Sequence, residues 1–142
     1  MQGKIEHIKS FTQILFLVFA TIFWQGCKTI SSSIPATTMD KDIVGSWEGC
    51  DGRVVTFTKQ KSGEIIGRYT HLGGLGEYRF TQDEIGYKVA QKELGTYTGL
   101  VKWRNATGEV TWKKVMITIE DNVYKDNNSD GCSKEMKRIG QR

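Results

Sequence analysis

Residues 43–59 read Ile-Val-Gly-Ser-Trp-Glu-Gly-Cys-Asp-Gly-Arg-Val-Val-Thr-Phe-Thr-Lys, and this stretch decides the fold. Ile43 to Gly49 reads as a first strand. Asp51-Gly52 is a strong two-residue hairpin signal, because such turns need the positive φ that glycine adopts freely. Arg53 to Lys59 then alternates, with Val55 and Phe57 on one face and Val54, Thr56 and Thr58 on the other. A period of two is the mark of a strand with one buried face.

The same pattern continues outward from this hairpin. Ser62-Gly63 turns the chain into Glu64 to His71, where Gly67 marks a bend or bulge. Gly73-Gly74-Leu75-Gly76 reads as a flexible hairpin tip. It lacks the Lys-Ser/Thr and following helix of a phosphate-binding loop. Further strands are expected over Glu77 to Gln82, Tyr87 to Gln91 and Thr96 to Arg104. The last of these places Tyr97, Gly99, Val101 and Trp103 on one face. Asn105 to Gly108 turns into a long strand, Val110 to Glu120, with Val115, Ile117 and Ile119 on one face. Asp121-Asn122 turns into Val123 to Lys125. A polar loop, Asp126 to Gly131, precedes a final strand from Cys132 to Ile139. That makes about eight or nine short strands between residues 43 and 139, with no helical period. The expected fold is all-β, a small antiparallel up-and-down barrel of about eight strands. Closing the meander removes its exposed edges. Such a barrel is just wide enough to fill with side chains or to hold one small ligand.

The whole chain has 142 residues, 38% hydrophobic and 25% charged, with 16 Gly and a single Pro. That balance excludes collagen, a long disordered chain and a polytopic membrane protein. The first 26 residues read as a signal. Lys4 and Lys9 give a weakly positive start, and Phe11 to Trp24 is an uncharged, mostly apolar run. The run is shorter than the ~20 residues a membrane-spanning helix needs. Residues 28–42 are Ser/Thr-rich, hold the only Pro and read as a tether. The domain organisation expected is therefore signal 1–26, tether 27–42 and barrel 43–142.

Three cysteines are present, Cys27, Cys50 and Cys132. With Cys27 otherwise engaged, Cys50 and Cys132 form an even pair in an oxidising compartment. Two unpaired thiols are the alternative. A metal site is not expected, because no C-x-x-C is present and His71 stands alone. A Cys50–Cys132 bridge would join the end of the first strand to the start of the last, a contact that exists only if the sheet closes.

Two resemblances add to this reading. Gly26-Cys27 at the end of the apolar run resembles the bacterial lipoprotein signal. The resemblance implies cleavage before Cys27, lipidation of its thiol and anchoring in the cell envelope. Lys28 stands where the family's inner-membrane retention signal has Asp, which implies the outer membrane. Three acyl chains make a stable anchor where one is marginal. In the domain, Gly45-Ser46-Trp47 is similar to the Gly-x-Trp of the calycins, the superfamily of lipocalins, fatty-acid-binding proteins and avidins. Gly63-Glu64-Ile65-Ile66-Gly67-Arg68-Tyr69-Thr70 looks like the avidin third strand, a Gly followed by Gly-x-Tyr-Thr. The resemblance implies a barrel whose Trp47 plugs one end, with Arg138 or Lys137 from the last strand packed across it. The biotin-binding residues of avidins do not align, since Gly49 stands where Asn is expected, so only the fold carries over.

Aromatics combine apolar area with a polar tip and commonly line pockets. Tyr69, Tyr97, Trp103 and Trp112 are the candidate ligand-binding residues, with Gly99 leaving space beside Tyr97 and Trp103. The net charge is +4, and +3 once Lys4, Lys9 and Glu6 leave with the signal, too mild to argue for nucleic acid. Lys102/Arg104, Lys113/Lys114 and Lys134/Lys137/Arg138 fall on late strands that a meander would place side by side. No nucleophile and base, carboxylate pair or metal set stands out, so no enzyme and no cofactor are expected. The functional expectation is a lipid-anchored envelope protein that binds a small apolar or amphipathic ligand. A protein-interaction module, either a hydrolase inhibitor or an envelope scaffold, is the alternative.

Overall fold

The computed structural model describes residues 41–140. The expected signal, the lipidated Cys27 and nearly all of the tether lie outside the described residues. Eight strands follow in order: β1 Gly45–Glu48, β2 Val54–Lys59, β3 Ile65–His71, β4 Ile85–Glu93, β5 Thr96–Arg104, β6 Val110–Glu120, β7 Val123–Asp126 and β8 Glu135–Ile139. Each pairs antiparallel with the next, and β8 returns to pair with β1, so the sheet closes into a barrel. The closing register sets Trp47 opposite Arg138 and Ser46 opposite Ile139.

Three of the connections share one geometry. The amides of Gly49, Gln60 and Asn105 donate to the carbonyls of Arg53, Glu64 and Glu109. Within each loop the glycine amide of Gly52, Gly63 or Gly108 donates back to the loop's first carbonyl. Those glycines have φ of +80°, +90° and +90°. This is the three-residue hairpin with a glycine bulge, not the two-residue turn that Asp51-Gly52 alone suggests. The bulge glycine takes the left-handed slot, which moves the turn one residue earlier. Asp121-Asn122 does form a two-residue turn, with φ of 50° and 60°.

The expected strand Glu77 to Gln82 does not form. Gly73–Tyr78 is a 3-10 turn, and Arg79 and Asp83 adopt positive φ. The physical reason lies in the apolar spacing. Leu75 and Phe80 are buried while Tyr78 is exposed, so the segment dips into the core twice instead of alternating. The Gly-rich stretch is pinned as well, because the Gly74 amide donates to Asp51 Oδ2 at 2.8 Å. The last strand starts at Glu135 rather than Cys132, since Gly131–Ser133 is a short 3-10 turn.

The disulfide forms between Cys50 and Cys132, with Cα atoms 4.9 Å apart. Both cysteines sit in loops just beyond the strand ends. Gly49 is what lets them meet: a Cβ there would stand 2.3 Å from the Cys132 carbonyl oxygen.

The interior is an aromatic column. Trp47, Tyr124, Phe57, Tyr87, Tyr69 and Phe80 follow one another, with centroid separations between 5.2 and 6.2 Å, and Phe57–Tyr124 is the stacked pair. The latter pair is 6.1 Å apart and close to parallel. Glycines make room for two of the rings. Phe57 lies over its cross-strand partner Gly67, where a Cβ would come within 2.6 Å of the ring. The register of β3 against β4 shifts just after Gly67, as the sequence led one to expect. Tyr69 lies over Gly86, where a Cβ would come within 2.3 Å.

One end of the barrel is shut. Trp47 is fully buried and its Nε1 donates to Ile43 O at 2.7 Å. The Arg138 guanidinium lies 4.2 Å from the Trp47 ring centroid, a cation–π arrangement. It donates to Val44 O and Asn122 Oδ1, both at 2.9 Å, and to Asp42 O. Tyr97 completes this end. Its hydroxyl accepts from the Ile43 amide at 3.1 Å and donates to Lys41 O at 3.2 Å.

Candidate functional site

The opposite end carries the long loops and a cavity of about 330 Å³. That volume is at the lower bound of small-molecule pockets, about 300 Å³. Tyr69 and Tyr87 form its floor. Leu75 from the 3-10 turn and Phe80 just after it, with Val101 and Trp103 from β5, form the apolar wall. Arg53, Lys102, Arg104, Ser129 and Ser133 supply the polar rim. The elements cooperate: alternation in β3, β4 and β5 turns Tyr69, Tyr87 and Val101 inward, and the connection from β3 to β4 dips twice to lay Leu75 and Phe80 across the mouth.

The cations of the rim are already engaged. Arg53 grips Asp51 through Nε and Nη2, at 2.8 and 2.7 Å, and its Nη1 donates to Ser133 Oγ at 2.6 Å. That grip holds the Asp51 carboxyl well below the usual aspartate range. Glu84 accepts from Lys102 Nζ at 2.8 Å and from Arg104 Nη2 at 2.6 Å. Arg104 also lies over the Phe80 ring at 5.0 Å and donates to Arg79 O.

Beneath the rim is a buried carboxylate. Asp126 Oδ1 accepts from the amides of Asn128 and Ser129, at 2.8 and 3.1 Å. Asp126 Oδ2 accepts from Ser129 Oγ at 2.5 Å and from Tyr124 Oη at 3.3 Å. Tyr87 differs from these groups. Its side chain is fully buried and its hydroxyl finds no partner in hydrogen-bonding geometry. The nearby hydroxyls of Tyr124, Ser129 and Ser133 act to lower its pKa and so offset part of the rise that burial causes. Burial, and then the Asp126 charge, push Tyr87 up to about 12. Burial does the same to Tyr69 and Tyr124, which lie well above the usual tyrosine range.

The structure separates the four residues singled out from sequence. Tyr69 and Trp103 line the cavity. Tyr97 is at the shut end of β5, one strand length from Trp103. Trp112 faces outward, level with Lys102 across the strand pair, its ring flanked by Lys88 and Lys102 at 5.2 and 5.1 Å. Gly99 leaves no gap, because a Cβ there would meet the Lys88 carbonyl oxygen at 2.0 Å. The late-strand cations do not form one patch either. Arg138 covers Trp47, Lys113 lies over Trp103 at 3.6 Å, and Lys102 and Arg104 are tied to Glu84. Sequence reasoning missed Arg53, Leu75, Phe80, Ser133 and the special status of Tyr87. The one available signal was the pair of apolar residues Leu75 and Phe80, five apart in a Gly-rich segment.

Among the described residues no group of three His, Cys, Asp or Glu is placed to hold a metal. Compared with protein-family models, with curated proteins and with solved structures, the chain shows no match. The cavity therefore has to be read from its own chemistry: an apolar chamber with hydrogen-bond donors on its floor and rim.

Proposed function

We propose that this protein is a lipid-anchored carrier of the bacterial cell envelope, at the outer membrane, holding one small apolar or amphipathic ligand in the open end of a calycin-like barrel. The observation that carries the reading is the cavity itself. A barrel of eight strands can be filled completely, yet here the aromatic column stops short and leaves about 330 Å³ between Tyr87 and Trp103. The shut end, with Arg138 stacked on Trp47, supports the likeness to calycins. The anchor rests on Gly26-Cys27 and the apolar run before it.

Two experiments test the two halves. An environment-sensitive naphthalene sulfonate dye is expected to bind the full chain saturably and to be excluded by Val101→Trp, which fills the cavity. Equal binding by the variant would place the dye elsewhere and remove the support for carriage. Cys27→Ser is expected to abolish incorporation of an alkyne fatty acid in cells, and persistent label would move the anchor to another site.

One observation favours the alternative, a protein-interaction module. The outer face of β4 to β6 gathers Lys88, Lys102 and Lys114 around Trp112 and the exposed Leu100 and Met116. An acidic protein partner, such as an envelope hydrolase to be inhibited, would suit that face. Pull-down that fails after Lys88→Glu with Lys114→Glu would favour it.

A further inference from the structure

The outer surface of the barrel is not uniform. On β7, β8 and β1 the register sets opposite charges face to face, Lys125 across from Glu135 and Lys137 across from Glu48. Such a face neutralises itself and suits water. The outer face of β4 to β6 is built otherwise. There the register sets cations against apolar side chains: Leu100 between Lys88 and Lys114, Trp112 across from Lys102, and Val110 across from Arg104. Met116 follows Lys114 on the same face of β6. Leu100, Val110 and Met116 are three of the six large apolar residues exposed among the described residues. The stretches 88–90, 98–104 and 110–116 that build this face hold no Asp or Glu. The carboxylate that reaches it is Glu84, shared by Lys102 and Arg104. Lys88 and Lys114 are exposed, and among the described residues neither meets a carboxylate. Trp112 is partly buried between the ammonium groups of Lys88 and Lys102, at 5.2 and 5.1 Å.

A tryptophan among lysines on an exposed apolar patch is the chemistry of a membrane interface. The indole and the aliphatic stems enter the headgroup region while the ammonium groups stay at the phosphates. The place where the chain enters the barrel points to the same occupant. The side chain of Lys41 stands 3.5 Å from where a Gly95 Cβ would be, in the turn between β4 and β5. The exposed Leu94 sits in that turn as well. The tether thus joins the barrel at the end of this face. On the anchored reading, on which this inference rests, residues 27–41 reach at most about 50 Å. Strand β5 is about 30 Å long. The barrel can therefore lie on its side, with this face against the bilayer that holds its lipid. Tethering makes that contact intramolecular, at an effective concentration that a free acidic protein does not have.

We infer that the outer face of β4 to β6 is a membrane-docking surface, on which the anchored barrel lies against a bilayer of anionic phospholipid, with Leu100, Trp112 and Met116 in the headgroup region and Lys88, Lys102 and Lys114 at the lipid phosphates.

Tryptophan quenching by lipids brominated on their acyl chains tests this on the full chain as its own cells make it, reconstituted with lipid in large excess. Vesicles of phosphatidylcholine alone are compared with vesicles of phosphatidylcholine and phosphatidylglycerol in equal parts. The difference between the natural chain and Trp112→Phe isolates the emission of Trp112. That emission is expected to be quenched in the anionic vesicles far more than in the zwitterionic ones. It should be released at about 1 M salt, where charges are screened within ~3 Å. Lys88→Gln with Lys114→Gln should lower the ratio of docked to undocked chain about fivefold for each lysine. Both lysines are exposed, so the variant should melt with the natural chain. Trp112 left unquenched in anionic vesicles would overturn the docking surface. Equal quenching in both vesicle types, unmoved by the lysine variant, would overturn anionic lipid as the occupant. Emission that shifts with polyglutamate but not with vesicles would give the face to an acidic protein and overturn the inference too. The intact mass of the chain tests the anchor separately, because loss of residues 1–26 and acylation of Cys27 change it whatever Trp112 does. With lipid in excess, Trp112 reads the face with or without that anchor.

Discussion

Gly86 has room for a hydrogen and nothing larger, because the Tyr69 ring lies 2.3 Å from where its Cβ would be. Gly86→Ala is expected to lower stability by about 1 to 3 kcal/mol, as overpacking does, measured by the urea midpoint. It should also push Tyr69 into the cavity and reduce its volume. A second residue-scale consequence follows from Asp51, which ties Arg53 to the Gly74 amide and so holds the mouth segment. Its folded-state pKa is depressed by the Arg53 hydrogen bond, so the stabilisation is fully present above the ordinary aspartate value of 3.8. It is lost as pH falls below that value toward the folded one. Stability measured by denaturant titration should therefore fall in acid, and Asp51→Asn should flatten that slope. At this scale the sequence was only partly legible. Gly-x-Trp and the two cysteines pointed to real contacts. Tyr87 was legible only as the start of an expected strand, since the surroundings of a buried hydroxyl depend on how distant strands come together.

Strands and turns were read more fully, and the reasons are local. Alternation marked β2, β5 and β6, and turn residues marked the loops after β1, β2, β5 and β6, while Gly73 to Gly76 was read as a hairpin tip that did not form. The 3-10 turn Gly73–Tyr78 and the residues after it were misread because their two apolar anchors, Leu75 and Phe80, belong to the mouth of the barrel rather than to a strand face. A one-dimensional pattern cannot distinguish a strand from a lid that touches the core twice. The junction of first and last strands was legible through Cys50 and Cys132, whose bridge spans a sequence separation of 82. Replacing both cysteines by serine is expected to cost about 4 kcal/mol in the chain-entropy picture, measured by guanidinium unfolding. At the other end of the same strand pair, Trp47→Ala should cost about 3 to 5 kcal/mol by opening the shut end.

At the scale of the whole molecule, the barrel is a closed sheet with one sealed end and one open chamber, its axis filled by rings that carry hydroxyls into the dry interior. Three of those hydroxyls, on Tyr69, Tyr87 and Tyr124, are held neutral by burial above the ordinary tyrosine value of 10.0. The unfolded chain ionises them first, so the fold loses stability as pH rises past that value, by up to about 1.4 kcal/mol per pH unit for each group. Tyrosinate absorbance from these three should appear together with loss of the sheet signal on alkaline titration, and gradual ionisation in an intact barrel would contradict their burial. The chamber is what the proposed carrier function rests on, and native mass spectrometry of the full chain taken from its own cells asks about it most directly. A single small-molecule adduct is expected on the natural chain and absent from Val101→Trp. A bare mass for both chains, alongside a cavity found packed with the protein's own side chains, would contradict the carrier.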